Sequence, residues 1–205
     1  MSAESGRAPD EERWAALGAT PFRAPWWLRN RHLQTAWSPL LRRSPAPPAR
    51  RRSWPTPDGD RVTVWTREQR PAAPWVLVLH GLEGCARSNY VLGLRNRVAA
   101  LDWNVAVLEF RSCDGVLNAA PRLYHSGETS DLDFAVRELT RRHQVETLFV
   151  AGFSLGGNVL GKWLGEQGSS VPSAVAGAAL ICPPFDLTVS GPAIDRALGG
   201  LYVRR

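Results

Sequence analysis

Cysteine is scarce in this 205-residue chain: Cys85, Cys113 and Cys182 stand apart, with no C-x-x-C or other metal-ligand spacing. An odd, sparse set points to free thiols in a reducing compartment, each expected as a small buried residue, and no metal site can be built from them. Long apolar runs are missing too, none approaching the roughly 20 residues that span a bilayer. The charged opening MSAESGRAPDEER lacks the apolar core of a secretory signal. A cytoplasmic protein with no membrane span is therefore expected. Lysine is nearly absent, Lys162 being the only one, so the net charge of +6 is carried by arginine. That pattern looks like coding bias rather than a nucleic-acid face. Its densest runs, Arg42-Arg43 and Arg50-Arg51-Arg52, flank the proline-rich SPAPPAR and are expected as a solvated connector. No nucleic-acid partner is expected.

What is present is enough apolar content, 44%, to bury one sizeable core. Residues 1–20 form a polar lead-in. Residues 21–43, with three tryptophans, form an arm expected to pack onto the domain, and Ser44 to Pro57 follows as a Pro/Arg connector. The division is thus 1–57 for arm and connector and 58–205 for the domain. Pro57-Asp58-Gly59-Asp60 signals a turn into an alternating strand, Arg61 to Thr66, with flanking segments pairing antiparallel. From Pro74 the pattern changes. Trp75 to Leu79, Asn104 to Phe110, Thr147 to Ala151 and Ala176 to Cys182 read as buried strands. Asn89 to Leu101, Ser130 to Arg142 and Gly156 to Gln167 read as helices between them. Strands alternating with helices imply an α/β fold, a mostly parallel sheet with helices on both faces.

The chemistry concentrates in Gly152-Phe153-Ser154-Leu155-Gly156, a G-x-S-x-G string directly after a buried strand and directly before a helix. That context is the nucleophile elbow, in which a strained serine projects its Oγ above the sheet at the positive end of a helix. Ser154 is the expected nucleophile. His80-Gly81-Leu82-Glu83-Gly84 ends an earlier strand, at the loop that supplies one oxyanion donor. The backbone N–H groups of Leu82 and Leu155 are therefore the expected oxyanion hole. His80 is expected to shape that loop rather than act as base, with Gly81 and His125 as binding positions. His32 is expected to be structural or pocket-lining. His143, beside Arg141 and Arg142, is expected on a solvated face.

HGLEG, FRSCDG (Phe110 to Gly115), PRLYHSGETSDL (Pro121 to Leu132) and GFSLGGN together resemble the YheT-like branch of the α/β-hydrolases, esterases by family. RNRHLQT (Arg29 to Thr35) and PPFDL (Pro183 to Leu187) are also similar to that branch, so the resemblance runs from about Pro25 to the last residue. Ser112 departs from it, the branch usually having glycine there. The resemblance implies a serine hydrolase acting on small-molecule carboxylic esters of small or medium acyl chains through an acyl-serine, with no cofactor or metal. An acyltransferase using the same acyl-enzyme is the alternative. The triad order is nucleophile, acid, histidine, yet all four histidines, His32, His80, His125 and His143, precede Ser154. The resemblance places the acid and histidine beyond Arg205. Glu166, Asp186 and Asp195 are not taken as the triad acid. The expectation is a hydrolase domain lacking its last strands, inert in catalysis as a 205-residue chain and poorly stable, with Ala176 to Cys182 an uncovered edge.

Overall fold

The computed structural model describes residues 23–30, 33, 34, 37, 41 and 44–196, and the backbone alone for 193–196. Two compact units divide the chain, Met1–Arg42 and Arg43–Arg205. In the first, Trp26–Leu28 makes one 3-10 turn, and Trp27 packs edge-on against Trp37 at 4.6 Å. Of the 23 residues of the 21–43 arm, 11 lie outside the described ones.

Among the described residues the second unit forms a six-stranded mixed sheet in the order β1-β2-β4-β3-β5-β6. Its strands are β1 (Arg50–Pro55), β2 (Arg61–Arg67), β3 (Trp75–Leu79), β4 (Asn104–Glu109), β5 (Leu148–Phe153) and β6 (Val175–Ile181). The helices are α1 (Asn89–Ala100), α2 (Ser130–His143), α3 (Leu155–Gln167) and α4 (Leu187–Arg196). Strands β4, β3, β5 and β6 run parallel, while β1 and β2 are antiparallel additions. This is the expected α/β arrangement, a mostly parallel sheet with helices packed on both faces.

Side-chain alternation along β3 divides the core between the two faces. Trp75, Leu77 and Leu79 pack with Leu132, Val136 and Leu139 of α2 and Val159, Leu160 and Trp163 of α3. Val76 and Val78 pack with Val91 and Val98 of α1. All five residues of β3 are buried, which is why its sequence is continuously apolar instead of alternating.

The arginine run expected in a connector is the edge strand β1. Its register sets Trp54 opposite Val62, and Trp54 is 1% exposed. One buried tryptophan in register anchors the strand. Its arginines face solvent, where charge on an edge also resists strand addition. At the other side β6 is the edge among the described residues, with Ala176, Ala178 and Ala179 exposed.

Candidate active site

Strand β5 ends one residue before the helix that follows Ser154, and the chain must reverse within that residue. Ser154 takes φ 51°, ψ −118°, a region that costs a residue with a Cβ about 1–3 kcal/mol. Its N–H donates to the Ile181 carbonyl at 2.8 Å, and its own carbonyl accepts from Asn158 N–H at 3.0 Å. The turn is thus pinned to β6 on one side and to α3 on the other. The flanking glycines are required by space. A Cβ on Gly152 would lie 2.4 Å from the Gly156 carbonyl oxygen, and one on Gly156 2.5 Å from the His80 carbonyl oxygen. Ser154 itself is exposed, and among the described residues its Oγ has no hydrogen-bond partner.

The HGLEG loop lies against this serine. A Cβ built on Gly81 would sit 3.3 Å from the Cβ of Ser154. His80 is fully buried and uses both ring nitrogens. Nε2 accepts from the Phe110 N–H at 3.1 Å, which leaves the proton on Nδ1, and Nδ1 donates to the Gly81 carbonyl at 2.7 Å. Neither nitrogen is free to take a proton from Ser154. Burial pushes the imidazole down to about 4 from 6.5.

That shift has a sign. The unfolded imidazole binds a proton near pH 6.5 and the folded one only near 4. The neutral ring therefore stabilises the fold fully above about 6.5, and that contribution is lost as pH falls toward 4. The loss is expected to be on the order of 3 kcal/mol. Denaturant midpoints measured from pH 7.5 to 4.5 should fall through this window in the wild type. His80→Gln should remove that part of the slope. An identical slope in the variant would defeat the assignment.

Leu155 opens α3, so its N–H lies in the first turn, where donors have no intrahelical acceptor. Neither the Leu155 N–H nor the Leu82 N–H has an acceptor among the described residues. Ser154 is thus an exposed hydroxyl next in sequence to the unused Leu155 N–H, and Gly81, the residue before the unused Leu82 N–H, packs against its Cβ.

The remaining candidates are placed differently. His125 is exposed, its Nδ1 accepting from Gly127 N–H at 3.1 Å, and no hydrogen bond links it to Ser154. His143 departs from the expected solvated face: it is half-buried, 3.1 Å from Glu68 and 4.5 Å from the Trp75 ring. The broad indole at the start of β3 offers the C-terminal turn of α2 an apolar surface, which a charge-based reading of the neighbouring arginines misses. His32 and the side chain of Asp195 lie outside the described residues. Asp186 accepts from the N–H groups of Thr188 and Val189 and so caps α4. Glu166 pairs with Lys162 and Thr129. Cys85 and Cys113 are half-buried, whereas Cys182 is exposed rather than buried. Among the described residues no three His, Cys, Asp or Glu side chains are grouped as metal ligands, and no helix is long and apolar enough to cross a membrane.

Two features were not singled out from the sequence. Arg111 is buried among Asp131, Asp60 and Asp58, with contacts of 2.7, 3.0 and 3.0 Å. Asp60 is held at about 2, first by the N–H of Ala120 and also by Arg111. Tyr90 and Tyr124 direct their hydroxyls into the HGLEG loop. Arg111 and Tyr124 lie inside the FRSCDG and PRLYHSGETSDL stretches, and that was the signal available for them.

No family model matches the chain. It is 34% identical over 178 residues to YheT of Escherichia coli, an esterase candidate by name, covering 85% of this chain and 52% of that protein. It is 30% identical over 139 residues to the monoacylglycerol lipase of Saccharomyces cerevisiae, covering 67% of this chain and 29% of that one. Among solved structures the Pyrococcus furiosus esterase Pf2001 is similar at a TM-score of 0.62 and 19% identity, over 75% of this chain and 57% of that chain. The chain thus spans about half the length of YheT and less of the yeast relative.

Proposed function

Because the chain belongs to the YheT-like branch of the α/β-hydrolase superfamily, we propose that it carries the nucleophile half of a serine esterase site. Ser154 attacks the carbonyl carbon of a carboxylic ester of small or medium acyl chain length. The carbonyl oxygen becomes an oxyanion between the N–H groups of Leu82 and Leu155. The alkoxide leaves with a proton, the acyl group stays on Ser154, and water then releases the acid. The observation that carries this reading is Ser154 itself: an exposed hydroxyl held at φ 51° at the start of α3, with the Gly81 backbone packed against its Cβ. The names of the bacterial and yeast relatives, an esterase candidate and a lipase, support ester cleavage as the reaction class.

The mechanism needs an imidazole to take the serine proton, a contribution of typically 10²–10⁴-fold. None of His80, His125 and His143 makes a hydrogen bond to Ser154. The 205-residue chain is therefore expected to turn over esters very slowly or not at all, while its serine still reacts with a strong electrophile. Treatment with a fluorophosphonate probe followed by peptide mass spectrometry should place the label on Ser154 alone, and Ser154→Ala should abolish it. A label on another residue, or none in a sample shown to be folded by circular dichroism, would overturn Ser154 as nucleophile.

A further inference from the structure

Every backbone N–H from Gly81 to Ala86 except one has an acceptor among the described residues. Gly81 N–H donates to the Tyr90 hydroxyl at 2.9 Å, and Glu83 N–H to the Tyr124 hydroxyl at 3.1 Å. Gly84 N–H donates to the Gly81 carbonyl at 3.0 Å, Cys85 N–H to Ser88 Oγ at 3.0 Å and Ala86 N–H to Glu109 Oε1 at 2.9 Å. The exception is Leu82, and its two neighbours in sequence are the two that end on tyrosine hydroxyls.

We propose that Tyr90 and Tyr124 are positioning residues of the oxyanion hole. By capping the N–H groups on either side, they turn the peptide between them so that the Leu82 N–H alone is presented to the substrate oxygen. The proposal rests on the esterase reading of Ser154 and goes beyond it by assigning two side chains that touch no reacting atom.

Three observations support it. The rings are held from outside the loop: Tyr90 packs on Phe153 at 4.9 Å, one residue before the nucleophile, and Tyr124 stacks on Phe110 at 5.3 Å with 2° between planes. Phe110 in turn meets the His80 ring at 4.8 Å and gives it the N–H that sets its tautomer. The loop and the elbow are thus built on one set of aromatic contacts. Second, Glu83 sits at φ 54°, an uncommon conformation for a residue with a side chain, and a hydrogen bond to its N–H is what keeps such a peptide oriented. Third, a Cβ on Gly84 would lie 2.4 Å from the Tyr90 hydroxyl oxygen, so the loop is closed tightly round that hydroxyl. Burial raises both phenols above their ordinary value, so at neutral pH each is a neutral hydroxyl able to accept an N–H.

The test uses the ¹⁵N-labelled chain and butyrate, an anion of the acid class the proposed reaction releases. In the wild type, hydrogen exchange should find Leu82 the least protected amide between Gly81 and Ala86. Butyrate should shift the Leu82 and Leu155 amide resonances with one common Kd. In Tyr90→Phe and in Tyr124→Phe the Leu82 response should weaken about fivefold, the worth of one ordinary hydrogen bond, while the Leu155 resonance keeps its starting position. A merely structural role would lower the unfolding midpoint and leave the butyrate affinity of Leu82 unchanged, and that result would overturn the proposal. So would a wild-type Leu82 amide as protected as Gly81 and Glu83, or one that ignores butyrate, and neither observation depends on a variant folding. Failure of the esterase reading shows separately, as no probe on Ser154 in a chain whose Leu82 still responds to butyrate.

Discussion

Arg111→Met is expected to destabilise the domain by about 3–5 kcal/mol, read as a fall in the denaturant midpoint at unchanged slope. The guanidinium is 3% exposed and grips Asp131 with two parallel bonds, Nε to Oδ2 at 2.8 Å and Nη2 to Oδ1 at 2.7 Å. Nη1 reaches Asp60 Oδ2 at 3.0 Å, and Nη2 also reaches Asp58. Asp131 is 2% exposed and Asp60 8%, so removing the cation leaves two carboxylates out of water, Asp131 with only the half-exposed Arg122 and Asp60 with backbone N–H groups. The buried carboxylates, more than the lost attraction, set the size of the effect. Lysine should not rescue it, because a point charge cannot reproduce a planar fork that serves three partners. Adding Asp131→Leu to Arg111→Met should recover part of the loss, since the double variant removes one of the stranded charges. A loss below about 1 kcal/mol for the single variant would show that Arg122, 2.9 Å from Asp131, carries the site alone.

Gly156→Ala and Gly165→Ala should act in opposite directions although they lie in one helix. At Gly156 the new Cβ meets the His80 carbonyl oxygen at 2.5 Å, and the Cβ and carbonyl oxygen of Leu79 at 2.9 Å each. None of these is the far end of a flexible side chain. They are backbone, or the first side-chain atom, of a strand buried on both faces, so helix α3 would have to lift off β3. The expected cost is about 3 kcal/mol, together with loss of fluorophosphonate labelling at Ser154, whose helix has moved. At Gly165 a Cβ meets nothing within 4 Å and the position is exposed, so alanine should stabilise by up to about 1 kcal/mol. Thermal unfolding of the two variants beside the wild type checks both signs. A Gly156→Ala chain as stable and as reactive as the wild type would mean that the elbow is not packed as described.

The contrast between those glycines shows where sequence reasoning reaches and stops. Both stand in a glycine-rich helix, and only the spacing around Ser154 distinguishes one of them. Gly152 and Gly156 could be singled out because G-x-S-x-G after a continuous apolar run states a local geometry, a strand turning into a helix through one residue. Strands β3 to β5 were legible for a related reason: burial on both faces writes itself as a largely apolar run. Strand β6 is apolar as well although its alanines are exposed, and the observed bounds of all four strands lie within two residues of the expected ones. The edge strand β1 was legible only in part: an antiparallel partner flanking Arg61–Thr66 was expected and found, but no pattern within Arg50–Pro55 says that the arginine run supplies it or that Trp54 lies opposite Val62.

By itself the sequence determined the α/β alternation, the elbow serine and the absence of any histidine after Ser154, because each is a matter of local order along the chain. Only the tertiary structure decided which backbone donors are left unused and which side chains arrange them. The Leu82 N–H is free because Tyr90 arrives from α1 and Tyr124 from the loop before α2 to occupy its neighbours. Arg111 matters because residues 51 and 20 positions away in sequence close on it. Hydrogen bonds between distant segments depend on how strands and helices stack, and stacking is a property of the whole folded domain rather than of any one stretch of it.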